Sequence, residues 1–153
     1  MKKVLFVCLG NICRSPLAEA LFRNHVKNLG IEDKFSCDSC GTAAYHIGAT
    51  PDPRSVANAL ENGLQYTHKG RQLAEQDYAE FDYILAMDDS NLTAIKELNG
   101  IGHKHIYKLR DFDSLMVGED VPDPYFGGAQ GFQDVFEIID RSTFHLLKGL
   151  SKS

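Results

Sequence analysis

Val4-Leu5-Phe6-Val7-Cys8-Leu9-Gly10-Asn11-Ile12-Cys13-Arg14-Ser15-Pro16-Leu17-Ala18-Glu19-Ala20-Leu21-Phe22 reads as a strand, a tight loop and a helix start. A short apolar run precedes the loop, and the residues from Pro16 onward are amphipathic. A loop in this position wraps an oxyanion in backbone N–H groups at the positive end of a helix dipole. Within it Cys8 and Arg14 are separated by five residues, and the Ser15 hydroxyl follows. The cysteine is a nucleophile and the arginine a planar, two-pronged cation. These are the parts needed to move a phosphoryl group through a sulfur atom.

Working outward, apolar runs at 3–8, 35–39, 83–86 and 105–108 read as buried strands. Helical patterns lie between and after them. The first covers 16–29, with Leu17, Ala20, Leu21 and His25 on one face and Gly30 as a stop. The second covers 52–62, with Pro53 in the first turn and Gly63 beyond the end. A short helix at 74–78, one at 90–98 capped by Asp88, Asp89 or Ser90, and a long one at 131–147 complete the pattern. Alternation of nearly all-apolar strands with helices implies a parallel sheet covered on both faces. The expected architecture is α/β: a single-domain three-layer sandwich over residues 1–153, with a four-stranded parallel sheet and right-handed crossovers. Such sheets bind ligands beyond the carboxyl ends of their strands, where the loop from Cys8 to Ser15 sits.

The 153 residues suit one domain with a real core, and 43% apolar and 24% charged content is ordinary for a globular chain. A formal charge of −5 argues against general nucleic-acid or anionic-membrane binding. Lys2-Lys3 before an apolar run imitates a signal peptide, but the run is too short and is interrupted by Asn11, Arg14 and Pro16. Four cysteines do not make a secreted disulfide scaffold, so reduced thiols and a cytoplasmic location are expected.

Helix N-termini, arginines and N–H donors favour a thiolate over a thiol. Arg14 and the amides offset its repulsion with phosphate and grip the equatorial oxygens in transit, with no metal required. Gly10 allows close backbone approach, and Asn11 tolerates the left-handed conformation of a curled loop. A cysteine ending a buried strand is by itself just as readily a small apolar filler. The flanking strand, Ser15 and the helix separate the two readings. Nucleotide P-loops and dinucleotide fingerprints do not fit, because neither a Lys-Ser/Thr pair nor G-x-G-x-x-G is present. Cleavage of an aryl phosphate also needs an acid for the leaving phenolate. Asp123 in Val121-Pro122-Asp123-Pro124-Tyr125-Phe126 is the candidate: the prolines hold it extended, and Tyr125 with Phe126 can wall a slot for a flat ring. On its own the same segment also reads as a turn with an exposed Asp.

With these residues in view the chain resembles the low-molecular-weight protein tyrosine phosphatases along nearly its whole length. The anchors are 7–16, Asp38-Ser39 with Gly41-Thr42, Pro51-Asp52-Pro53-Arg54, His68 ahead of Arg71-Gln72-Leu73, Met87-Asp88 with Ser90-Asn91, and Asp123-Pro124-Tyr125. The resemblance implies that Cys8 attacks phosphorus and becomes a phosphocysteine. Arg14 then stabilises the phosphoryl group, and Asp123 acts as general acid and afterwards as base. Leu9, Gly10, Asn11, Ile12, Cys13 and Ser15 would bind phosphate, with Ser39 and His68 in the supporting polar network; taken alone, His68 reads as a surface residue. Cys13 matches a second loop cysteine able to form a reversible disulfide with Cys8, or else fills space. Tyr45, Tyr125 and Phe126 would line the substrate slot, and Asp88 and Asn91 resemble rim positions. The implied partners are phosphotyrosine proteins or aryl phosphates, with inorganic phosphate as product and competitive inhibitor and no cofactor.

Two departures stand out. Cys40 replaces a small non-thiol residue and creates Cys37-Asp38-Ser39-Cys40, whose members face opposite sides of a strand and so read as packing rather than as a redox or zinc pair. Phe126 replaces the tyrosine of some relatives, which removes a phosphorylation site and keeps an aromatic wall. Arsenate reduction on the same fold is the runner-up, but it relays oxidation through later cysteines, and none follows Cys40. A non-catalytic phosphate-binding or redox-sensing module is the third reading, opposed by Cys8, Arg14 and Asp123 occurring together.

Overall fold

The structure, a computed structural model, describes residues 1–152; Ser153 and the side chain of Phe126, an expected slot wall, lie outside the described residues. The strands are β1 (Lys2–Cys8), β2 (Phe35–Gly41), β3 (Tyr83–Ala86) and β4 (Ile106–Lys108), and they form one parallel sheet in the order β2-β1-β3-β4. The helices are α1 (Arg14–Asn28), α2 (Pro53–Glu61), α3 (Glu75–Glu80), α4 (Asp89–Glu97) and α5 (Gly128–Ser151), with 3-10 turns at Leu109–Phe112 and Pro124–Phe126.

Strand alternation distributes the core to two faces. From β1, Val4, Phe6 and Cys8 pack with α1 and α5, while Leu5 and Val7 join Ile84, Tyr78 and Ile95 on the side of α3 and α4. Helices therefore cover both faces, as the apolar strands require. The ring pair Phe6–Phe22, 5.5 Å between centroids, locks α1 onto β1. Each such side chain contributes roughly 1.5–3 kcal/mol through burial. No helix among the described residues is long and apolar enough to cross a membrane.

Element boundaries differ from the sequence reading in instructive places. Helix α1 begins at Arg14 rather than 16, so Pro16 sits inside the first turn, where a missing N–H removes no intrahelical bond. Strand β2 extends to Gly41 because it pairs with all of β1, out to Cys8↔Gly41. Cys37 packs toward the α1–α5 face and Cys40 toward the other, so the two point apart as the strand period demands. Helix α5 starts at Gly128 and absorbs Gly131, which the sequence reading placed at the helix start. Gly131 is needed for close approach: a Cβ there would lie 2.9 Å from Pro124 O. That contact seats the Asp123 turn against the start of α5.

Candidate active site

The loop between β1 and α1 owes its curl to where its carbonyls go. Cys8 O accepts from Thr42 N at 2.9 Å, Leu9 O from Ala43 N at 3.0 Å and Ile12 O from Asp52 N at 2.8 Å. With these carbonyls turned outward, Asn11 N–H points inward and donates to Cys8 Sγ at 3.3 Å. Asn11 adopts φ 57°, the left-handed conformation expected of it. It is fully buried, and its side chain fixes that conformation. Nδ2 donates to Ser15 Oγ at 2.9 Å and Ser39 Oγ at 3.1 Å, while Oδ1 accepts from Arg71 N at 3.0 Å and meets His68 Nε2 at 2.8 Å.

Cys8 is buried and its Sγ lies 2.9 Å from Ser15 Oγ. Ser15 receives Asn11 Nδ2, and its own hydrogen can turn to the sulfur or to Cys40 O at 3.4 Å. Helix α1 carries no side-chain cap and no acidic residue in its first turn, so its N-terminal dipole is uncompensated on the side of the thiol. Behind the loop, Ser39 Oγ donates to Glu19 Oε1 at 2.7 Å, His68 Nδ1 lies 3.3 Å from the same oxygen, and Arg23 holds Glu19 Oε2 at 2.7 Å. Glu19, Asp38 and His68 cluster closely enough to suggest a metal site. Arg23 and Arg71 already neutralise the two carboxylates, so the charge there is satisfied within the chain.

Arg14 is 8% exposed. Its Nη1 donates to Asp88 Oδ2 at 2.9 Å and to Val121 O at 2.8 Å. Asp88 also caps α4 through Asn91 N at 2.8 Å, so it serves as cap and as partner of Arg14, behind the residues that line the cavity. Asn91 is buried and does not reach the rim cavity.

A cavity of about 100 Å³ opens over the loop, lined by Cys8, Leu9, Gly10, Ile12, Cys13, Arg14, Tyr45, His46, Asp123, Pro124 and Tyr125. Asp123 stands exposed at its lip, and its Oδ1 accepts from Tyr125 N at 3.0 Å. Tyr125 is braced: Cys13 Sγ donates to its hydroxyl at 3.2 Å, and the Arg54 guanidinium stacks on its ring at 4.9 Å while Asp52 grips that arginine. Burial pushes the Cys13 thiol up to about 11 despite hydrogen bonds with Tyr125 and Ser55, so it stays protonated near neutrality. Tyr45 is 75% exposed at the rim. His46, which sequence reasoning missed, shares that rim: a Cβ on Gly10 would come within 2.9 Å of its ring. A larger cavity of about 600 Å³ between α1 and β2 holds none of the loop residues.

The arrangement thus brings a buried sulfur, an anion-binding helix end, a guanidinium and a carboxyl to one small opening. The family model for low molecular weight phosphotyrosine protein phosphatases matches residues 3–153. The chain belongs to that family. The low molecular weight phosphotyrosine protein phosphatase of Schizosaccharomyces pombe is 46% identical over 143 residues, 92% of each chain. A protein tyrosine phosphatase from Entamoeba histolytica, crystallised with Hepes in the active site, superposes with TM-score 0.95 at 38% identity, covering 99% of this chain and 98% of that one. The Drosophila arginine phosphatase superposes with TM-score 0.89 at 34% identity, covering 98% of each chain. As a member of the low molecular weight phosphatases the protein is a hydrolase of the protein-tyrosine-phosphatase class.

Glu19 and the Val121 carbonyl, which support this site, carry no motif of their own, while Arg71 stands in the anchor from His68 to Leu73 without a role assigned to it there. Only the spacing of Ser15, Glu19 and Arg23 along one face of α1 signals the first of them.

Proposed function

We propose that this phosphatase hydrolyses phosphotyrosine and related aryl phosphates through a phosphocysteine. The observation that carries the reading is that Cys8 Sγ and the Asp123 carboxyl open on one cavity with Arg14 lining it. The Cys8 thiolate attacks phosphorus, forming the S–P bond as the P–O bond to the phenol breaks, and Asp123 gives its proton to the departing oxygen. Arg14 and the loop amides hold the three equatorial oxygens, where charge accumulates. Water then attacks the phosphocysteine, passing its proton to the Asp123 carboxylate. The S–P bond breaks, and Ser15 is placed to donate to the sulfur as it leaves. Phosphate is released and competes with substrate for the same loop.

Cys8 and Cys13 both border the cavity as free thiols, which supports a redox pairing between them. A phosphoarginine substrate, suggested by the Drosophila relative, is the other reading, but the braced Tyr125 ring favours a flat aryl group. Steady-state assays on a phosphotyrosine peptide and a phosphoarginine peptide test this. The expected result is a higher kcat/KM for phosphotyrosine, with Asp123→Ala losing about 100-fold on that substrate. Preference for phosphoarginine, or an unaffected Asp123→Ala, would overturn the proposal.

A further inference from the structure

Asp123 hangs from a segment with no regular structure. From the end of the 3-10 turn at Phe112 to the next turn at Pro124 there is neither strand nor helix, and residues 114–120 are exposed. An acid that must meet a leaving oxygen within hydrogen-bond reach needs a firmer support than that. Two backbone bonds help: Gly118 N donates to Arg110 O at 2.9 Å and Val121 N to Met87 O at 2.8 Å. Further grip comes from two buried cations. Lys108, the last residue of β4, and Arg110, in the turn that follows, are each 7% exposed. Lys108 Nζ reaches Asp120 Oδ1 at 2.9 Å and Asp89 Oδ1 at 2.9 Å. Arg110 Nη1 donates to Asp120 O at 2.9 Å. Asp120 is therefore held by its side chain and its carbonyl together, and its Oδ1 also accepts from Asp89 N at 3.0 Å. The next residue, Val121, is held by Arg14. The carboxylate of Asp120 is consumed by this clamp, whereas Asp123 borders the cavity.

We propose that Lys108 and Arg110 are positioning residues for the general acid, clamping Asp120 so that Asp123 stands at a fixed height over the Cys8 loop. Burying two cations is costly unless their charge is used: Lys108 is paired with Asp120 and Asp89, and Arg110, paired through Nε with Asp113, turns its Nη1 to the Asp120 carbonyl, so both reach the same residue of an otherwise loose segment. The clamp also ties the acid to Arg14, since the same short stretch receives all three cations. It rests on Asp123 being the acid, and the test separates the two assignments.

The experiment measures kcat/KM for wild type, Lys108→Met, Lys108→Arg, Asp120→Ala and Asp123→Ala on p-nitrophenyl phosphate, a good leaving group, and on phenyl phosphate, a poor one. Inhibition by inorganic phosphate is measured alongside. Lys108→Met is expected to lose about 10-fold on phenyl phosphate and less than about 2-fold on p-nitrophenyl phosphate, with phosphate inhibition unchanged, because only the step needing a proton suffers. Lys108→Arg should restore most of the loss. Asp120→Ala, whose side chain is half exposed, should show the same leaving-group bias and decides the matter if Lys108→Met does not fold. Equal losses on both substrates, weakened phosphate inhibition or no loss would overturn the clamp. An Asp123→Ala variant insensitive to the leaving group would remove the acid assignment and the clamp with it. A biased Asp123→Ala beside an unbiased Lys108→Met would remove the clamp alone.

Discussion

Cys13 has a contact in the site and a proposed redox role beside it. Its thiol braces Tyr125 and is kept protonated by burial, with its pKa near 11, so it is a poor target for oxidants. In the proposed mechanism Cys8 works as a thiolate, the form that peroxide would convert to sulfenic acid. The Cys13 thiol can then condense with it, forming a disulfide and releasing water. Wild type treated with peroxide should regain activity in dithiothreitol, while Cys13→Ser should not. Equal recovery of the two proteins would leave Cys13 as a packing group that also props the slot. Asn11 and Ser15 were legible from the sequence because each is explained locally, Asn11 by its positive φ and Ser15 by proximity to sulfur, whereas Gly10 makes room for the His46 side chain rather than for a backbone. Their partners were not. Asn11 meets Ser39 at a separation of 28 residues and His68 at 57, and only the family resemblance pointed to those contacts. His46, a lone histidine in a loop, carries no pattern, and Glu19 shows only its spacing of four from Ser15 and from Arg23.

Among the elements, the strands and helices could be read because apolar periodicity is a direct record of which face is buried. The segment between β4 and α5 could not. Its Leu115-Met116-Val117 run is exposed, against the simple expectation for apolar residues, and its structure depends on charges that a sequence presents as solvated. Asp113 is the clearest case. Fully buried, it accepts from Arg141 of α5 at 2.7 and 3.0 Å and from Arg110 at 2.9 Å, so it bolts the root of the acid segment to the last helix. The hydrogen bonds from Arg141, reinforced by Leu115 N and Arg110, hold its carboxyl well below the usual carboxylate range in spite of burial. A depressed folded-state pKa contributes stability that is complete above the unfolded value of about 3.9 and is lost as pH falls toward the folded one. Asp113→Asn should therefore lower unfolding stability by about 3 kcal/mol at neutral pH. In urea titrations the gap from wild type should narrow below about pH 4. A gap independent of pH would mean that the aspartate's charge contributes nothing.

At the scale of the whole molecule, the parallel sheet explains why such distant pieces meet. Cys8 ends β1, Gly41 ends β2, Met87 follows β3 and Lys108 ends β4, so all four strands deliver their carboxyl ends to one side of the molecule. The proposed nucleophile Cys8 ends β1, Ser39 comes from β2, Asp88 follows β3, and the cations that hold Asp120, ahead of the proposed acid, come from the end of β4 and the turn after it. The fold and the β1 loop pointed to this side from the sequence alone. Height and aim within it, set by Gly131 against Pro124 O and by the clamp on Asp120, depend on tertiary packing. Every role assigned here supposes that Cys8 carries the phosphoryl group between two displacements. Rapid acid quenching of the wild type and of Asp123→Ala during turnover of a labelled aryl phosphate, followed by mass spectrometry of the peptide containing Cys8, tests this directly. A phosphate adduct on Cys8 that forms and decays at rates consistent with kcat is the expected result; steady hydrolysis with no phosphorus ever bound to that sulfur would contradict it.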